Sequence, residues 1–271
     1  MSKNWIDFGK RTLASLISVS IVLLLLIFAF QPWLSWVLYL VIATLAGVAI
    51  WEYSRFVKDK GGELFFPLLL FVTALLLFAF FTQSFSPLFP LILGTLLIGM
   101  FHFQEKRGAI LDLACSWFAL FYIAVPLGMM LAILYYAPEG AGQWWLAYLL
   151  AVTKMTDVGA YLGGKLFGER KLAPVISPGK TVEGAVCGLF FTLGTSFLFF
   201  AFSPLHLGSL EWIVFGIIFS FVSLFGDLFE SLLKRDAHRK DSNSLPGFGG
   251  ALDLLDSLLC TTPILYLYLL R

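Results

Sequence analysis

Apolar residues run along this chain in stretches of about twenty, broken only by short polar turns. Within a stretch there is no regular apolar–polar alternation, so strands of a membrane barrel are excluded. About 20 apolar residues in a helix cross the hydrocarbon core, and a helix satisfies all its backbone groups internally. The stretches at 12–30, 33–51, 64–82, 85–102, 110–136, 143–164, 182–203, 211–233 and 249–270 therefore predict an all-α, polytopic membrane bundle of about nine spans. Pro87 and Pro90 interrupt the start of the fourth stretch, which makes the third and fourth the least well-marked pair. The first stretch follows Lys10 and Arg11, as in a signal peptide. It is nearly twenty residues long, has no small-x-small cleavage site and is followed at once by a second stretch, so an uncleaved first span is expected.

The positive charges sort by side. Lys3, Lys10, Arg11, Arg55, Lys58, Lys60, Lys106, Arg107, Lys165, Arg170, Lys171, Lys180, Lys234, Arg235, Arg239 and Lys240 all fall at one end of alternate stretches. The opposite turns, "FQPW", "TQSFSP", "APEGAGQ" and "SPLHLGS", contain no Lys or Arg. Positive loops face the cytoplasm. The expected topology has the N-terminus cytoplasmic and the C-terminus external.

Composition agrees with this class: 59% of the 271 residues are hydrophobic and 13% charged, against roughly a quarter charged in soluble domains. A net charge of +1 gives no electrostatic argument for nucleic acid. Cys115, Cys187 and Cys260 have no C-x-x-C spacing and lie in or beside apolar stretches, so they read as small hydrophobes. His102, His206 and His238 form no cluster in the sequence.

Ionisable residues at membrane depth change the picture, because each costs about 2.5–3.5 kcal/mol even on the lenient insertion scale. They concentrate in the sixth, eighth and ninth stretches. Residues 1–142 are therefore expected to be scaffold and residues 143–271 the functional region, with cytoplasmic loops at 165–181 and 234–249. Asp227, Glu230 or Ser231, and Lys234 share one helical face, as do Asp253 and Asp256, and Lys154, Asp157 and Tyr161. At 1.5 Å per residue Asp227 lies about 10 Å from the turn at Lys234. All these groups converge on the expected inner leaflet. Carboxylates from two helices suit a hard cation such as Mg2+, which binds oxygen and usually shares its shell with substrate phosphates. Asp227, Asp253 and Asp256 are the candidate ligands. Simple ion pairing of Asp227 or Glu230 with Lys234, and of Asp157 with Lys154, is the alternative.

Two basic loops flank these acids. In "LFGERKLAPVISPGKTVEG", Gly179-Lys180-Thr181 invites a P-loop reading. That motif requires Gly where Pro174 stands, and a preceding strand, which is not expected here. Ser177, Lys180 and Thr181 nevertheless offer phosphate donors, with Thr181 placed to open the seventh span. The second loop supplies Lys234, Arg235, Arg239 and Lys240, then Pro246, Gly247, Gly249 and Gly250, where backbone can approach a ligand closely. Acids that hold a metal, ringed by cations, suit transfer of a phosphoryl or nucleotidyl group. Gly159 and Gly163 make a small-x-x-x-small pattern that predicts close helix packing.

Over residues 150–260 the chain resembles the phosphatidate cytidylyltransferases, or CDP-diacylglycerol synthases. Their pattern S-x-x-K-R-x-x-x-x-K-D-S-G, then P-G-H-G-G-x-x-D-R-x-D-S, is met by Ser231, Lys234, Arg235, Lys240, Asp241, Ser242, Pro246, Gly247, Gly249, Gly250, Asp253, Asp256 and Ser257. "TDVGAYLGGKLFG", "KLAPVISPGKTVEG" and "GDLFESLLKR" look like that family too. Asn243 stands for the usual Gly, Phe248 for the His and Leu254 for the Arg, and the spacer before Pro246 is one residue short. The resemblance implies that CTP and phosphatidic acid give CDP-diacylglycerol and pyrophosphate in the cell membrane. It implies Mg2+ on Asp227, Asp253 and Asp256, with a second cation left open. Phosphate contacts then fall to Lys234, Arg235, Lys240, Ser177, Lys180 and Thr181. Asp241 stands with the substrate-binding set, and Asp157 orients a ligand or a lysine. Membrane lipid is the expected partner, with a homodimer left open. A CTP-dependent lipid-alcohol kinase is the rival enzyme. An ion-coupled transporter is the rival of another class, although no internal repeat supports it.

Overall fold

The computed structural model describes residues 26–101, 103, 108–239 and 250–270. Most of the first expected span lies outside the described residues, as do Lys240 and Asp241. Eight helices carry the described chain: α1 Pro32–Asp59, α2 Phe66–Thr82, α3 Leu88–Phe101, α4 Ala109–Tyr136, α5 Gly142–Phe167, α6 Val182–Phe202, α7 Glu211–Asp236 and α8 Ala251–Leu269. They fall where the second to ninth apolar stretches predict helices. Among the described residues α1, α4, α6, α7 and α8 are long and apolar enough to cross a membrane, while α2 and α3 are apolar but shorter. The architecture is that of an all-α membrane protein.

One element differs from expectation. β1 Lys171–Ala173 pairs antiparallel with β2 Ser177–Thr181, so part of the expected loop 165–181 is a two-stranded hairpin. Lys171 faces Thr181 and Ala173 faces Ser177, with a register shift between. The strand ground against a P-loop is thereby corrected; the Pro174 ground stands. Thr181 ends β2 and caps α6, its Oγ1 accepting the Gly184 N–H at 3.1 Å. A short polar side chain at this position satisfies a free donor of the first helical turn.

In lipid, helices associate through close packing more than through the hydrophobic effect, so small residues decide which pairs approach. A Cβ on Gly159 would stand 2.7 Å from Phe191, and one on Gly163 2.3 Å from the Cys187 Cβ. Gly184 and Gly188 of α6 meet the Ala160 and Thr156 carbonyls in the same way. The expected packing role of Gly159 and Gly163 is thus the α5–α6 seam. Gly226 does the same for α7 and α8: a Cβ there would lie 2.6 Å from the Asp256 carbonyl oxygen.

One end of the bundle gathers the polar chemistry. There the ends of α1 and α7, the hairpin and the start of α8 meet. Lys60 pairs with Asp236 at 2.8 Å, Arg239 with Asp59, and Arg235 Nε donates to the Ile176 carbonyl at 3.1 Å. The first two of these ties cross from residues 1–142 to residues 143–271. At the opposite end, Tyr136 donates to the Phe81 carbonyl at 2.8 Å. An open cavity of about 260 Å³ there is lined by Pro138, Trp145, Leu205, His206 and Tyr268.

Candidate active site

α7 and α8 run antiparallel, in contact at Gly226. On α7, Asp227 and Glu230 are three residues apart; on α8, Asp253 and Asp256 are three apart. Such pairs share a helical face. Each helix therefore gives one carboxylate to each of two charged groups.

The first group joins Asp227 and Asp256 with Asp157 of α5. Lys180 Nζ, from β2, stands 2.7 Å from Asp227 Oδ2. Lys154 Nζ stands 3.7 Å from Asp157 Oδ2 and donates to the Leu254 carbonyl at 3.2 Å. Asp256 is buried, accepts the Ser257 N–H at 2.5 Å and lies within electrostatic reach of Asp227, Lys154 and Asp157. Asp157 in turn lies within reach of Asp227 and Lys180. Three carboxylates thus face two ammonium groups. The cation on Asp227 is the lysine of the hairpin, not Lys234 one helical face along.

The second group centres on Lys234. Its Nζ contacts Glu230, and reaches Asp253 Oδ1 at 2.5 Å. Glu230 is only 1% exposed. Asp253 Oδ2 accepts the Gly250 N–H at 2.8 Å, reaching back over the first turn of α8. Glu52 of α1 then accepts the next two N–H groups, those of Ala251 at 2.8 Å and Leu252 at 2.9 Å.

The remaining expected site residues sort as follows. Ser177 begins β2, and Thr181, buried, caps α6. Arg235 grips the hairpin at Ile176 and the Arg239 carbonyl at 3.1 Å. Arg239 forms a two-point pair with Asp59. The ion pairs Lys234–Glu230 and Lys154–Asp157, offered as alternatives by the sequence, are both present.

Among the described residues no three of His, Cys, Asp or Glu stand together closely enough to hold a metal by themselves. Mg2+ needs fewer: one or two carboxylates, completed by water and substrate phosphates. The first group offers hard oxygen donors of that kind in Asp227 and Asp256. Asp253 carries Lys234 and Gly250 on its oxygens, as Asp227 carries Lys180. The donor chemistry therefore fits Mg2+ at Asp227 and Asp256.

A family model described as "Cytidylyltransferase family" matches residues 9–270. The chain belongs to the cytidylyltransferase family. The phosphatidate cytidylyltransferase of Chlamydia pneumoniae is 35% identical over 288 residues, covering 97% of this chain and 92% of that protein. That of Chlamydia muridarum is 32% identical, covering 97% and 93%. That of Pseudomonas aeruginosa is 37% identical over 196 residues, covering 63% and 72%.

For this family member the sequence reading overlooked three contributors to the site. Glu52 is a buried acid from the presumed scaffold; its only local signal is an acid inside "AIWEYSRF". Gly226 has no small residue four positions away to mark it as a packing site. Tyr122 lies in a π-helical turn of α4, Leu120–Ala124, with its ring 5.3 Å from that of Phe229, the neighbour of Glu230. Its hydroxyl, like those of Ser223 and Ser257, is buried without a hydrogen-bond partner among the described residues.

Proposed function

We propose that the chain transfers CMP from CTP to phosphatidic acid, releasing pyrophosphate and leaving CDP-diacylglycerol in the membrane. Family membership and the names of the full-length relatives support the substrates. The observation that carries the site is the close approach of α7 to α8 at Gly226, which brings Asp227 within electrostatic reach of Asp256, with Lys180 on Asp227 and Lys234 on Glu230.

In this reading an oxygen of the lipid phosphate attacks the α-phosphorus of CTP in line. A new P–O bond forms, the bond to the β-phosphate bridge breaks, and pyrophosphate departs with the electron pair. An ionised phosphate needs no strong base, so the protein's work is positioning and charge. Asp227 and Asp256 would hold Mg2+, with Asp253, three residues from Asp256 on α8, as the third candidate ligand. The bound ion supplies neutralisation of the triphosphate and of the departing pyrophosphate. Lys234 has three N–H donors; Glu230 and Asp253 take two directions and fix the third for a phosphate oxygen. Lys180 exchanges Asp227 for a phosphate. Thr181 Oγ1 accepts from Gly184, which leaves its hydroxyl proton for a phosphate oxygen, and Ser177 stands on the same strand. Arg235 keeps unused N–H donors beside the hairpin. Lys240 and Asp241, which lie outside the described residues, keep the substrate-binding role that the resemblance implies. Asp157 orients Lys154. The acyl chains stay between helices, and exclusion of bulk water favours the lipid nucleophile over hydrolysis.

The chain spans the cell membrane nine times in this proposal, with the N-terminus and the charged end of the bundle cytoplasmic. The sidedness of Lys and Arg supports this. The test uses purified protein, phosphatidic acid, Mg2+ and CTP labelled at either the α- or the γ-phosphate. The α-label in the lipid and the γ-label in pyrophosphate released from CTP is the expected result. Lipid carrying the γ-label, with CDP released, would make the protein a lipid kinase instead.

A further inference from the structure

Glu52 is a carboxylate with 1% exposure inside a membrane bundle, where an ionised group is costly. It lies about two turns before the end of α1, in the half of the chain that contributes no other carboxylate to the proposed site. Its two oxygens take the N–H groups of Ala251 and Leu252, the opening residues of α8, 199 and 200 positions away. Those donors have no intrahelical partners. The residue before them, Gly250, has no side chain with which to cap them locally.

Asp253 follows directly. One of its oxygens holds the Gly250 N–H and the other holds Lys234. The chain of contacts is thus continuous from Glu52 through the first turn of α8 to Asp253, Lys234 and Glu230. We infer that Glu52 is a positioning residue for the transfer reaction: by satisfying the first N–H groups of α8, it leaves Asp253 free to hold Lys234 toward the nucleotide. Without the Glu52 carboxylate the two buried donors lose acceptors: one of them in Glu52→Gln, whose amide keeps a single oxygen and turns an N–H toward the other donor. Asp253, already bonded to the adjacent N–H, is drawn to them, and Lys234 loses its second anchor. Glu52 touches neither substrate; it acts through α8. The inference rests on Asp253 and Lys234 belonging to the site proposed above.

The test is steady-state kinetics of full-length Glu52→Gln in detergent, over a range of CTP at saturating phosphatidic acid and Mg2+, with thermal unfolding of the same samples. A purely structural defect lowers the amount of active enzyme but leaves KM unchanged. Displacement of Lys234 raises the KM for CTP, by about tenfold for one charge-assisted hydrogen bond. Asp112→Asn is the control. Asp112 is also a buried carboxylate on a backbone N–H, that of Glu63 at 2.7 Å, but it sits between α4 and the α1–α2 connection. Its variant is expected to melt earlier with the parent KM. Glu52→Gln with the parent KM overturns the inference. Should that variant not fold, Glu52→Asp, which keeps the charge one methylene short, is scored in the same way: a raised KM supports the inference and the parent KM overturns it. Asp253→Asn is run alongside. Parent kinetics there would remove the site reading, and this inference with it. A disabled Asp253→Asn beside an unaffected Glu52→Gln would overturn the inference alone.

Discussion

Lys180 and Lys234 each bind an aspartate, but in different surroundings. The Lys180–Asp227 side chains are 18% and 33% exposed, whereas Lys234 and Glu230 are 11% and 1% exposed. Removing one partner of a buried pair strands a charge, at about 3–5 kcal/mol, while a pair open to solvent contributes about 1 kcal/mol or less. Lys234→Ala should therefore lower both the unfolding midpoint and the activity. Lys180→Ala should melt close to the parent yet lose about 10²-fold in kcat/KM, as expected for a group that stabilises developing charge. Unfolding in detergent, paired with initial rates, checks both. A Lys180→Ala protein that melts early but works normally would make that lysine structural. The carboxylates and lysines were legible in the sequence because charge at membrane depth is costly and so conspicuous. The local pairs Lys234–Glu230 and Lys154–Asp157 were legible too, but the pairing of Lys180 with Asp227 was not. Lys180 and Asp227 are 47 residues apart, and only the placement of the hairpin against α7 joins them.

At the scale of elements, the site depends on how closely α7 approaches α8. Gly226 sits where any Cβ would press on the Asp256 backbone, so the two helices must separate to accept a side chain. Gly226→Ala is expected to cost about 1–3 kcal/mol of overpacking, and to reduce CMP transfer more than stability, because it parts Asp227 from Asp256. Gly179→Ala is the matched control: a Cβ there meets nothing within 4 Å. Equal activity in the two variants would show that the Gly226 contact is not what holds the acids together. Helix positions were readable from the apolar stretches because most of them match the length a membrane requires, although α2 and α3 are shorter. The hairpin was not, because β1 and β2 span only Lys171–Ala173 and Ser177–Thr181, with Pro174 and Pro178 among them, too short to display a strand period. The α5–α6 seam was readable at Gly159 and Gly163, whose four-residue spacing puts both on one face; Gly226 has no such partner.

Across the whole molecule, polar chemistry collects at one end of an otherwise apolar bundle, and both halves of the chain reach it. The second half brings the carboxylates and lysines. The first half brings Glu52 to the start of α8, Asp59 to Arg239 and Lys60 to Asp236. A division into scaffold and catalytic region could be drawn from where the charges lie in sequence. The ties across it could not, since each joins residues about 180 or 200 positions apart and none has a local signature. The central claim is that carboxylates from two spans meet at that end to carry out CMP transfer. It is tested most directly by assaying Asp256→Asn with α-labelled CTP and phosphatidic acid, on protein shown to be folded by its unfolding midpoint and elution. The account predicts a loss of at least about 10²-fold in label reaching the lipid; an Asp256→Asn enzyme that labels lipid at the parent rate would contradict it.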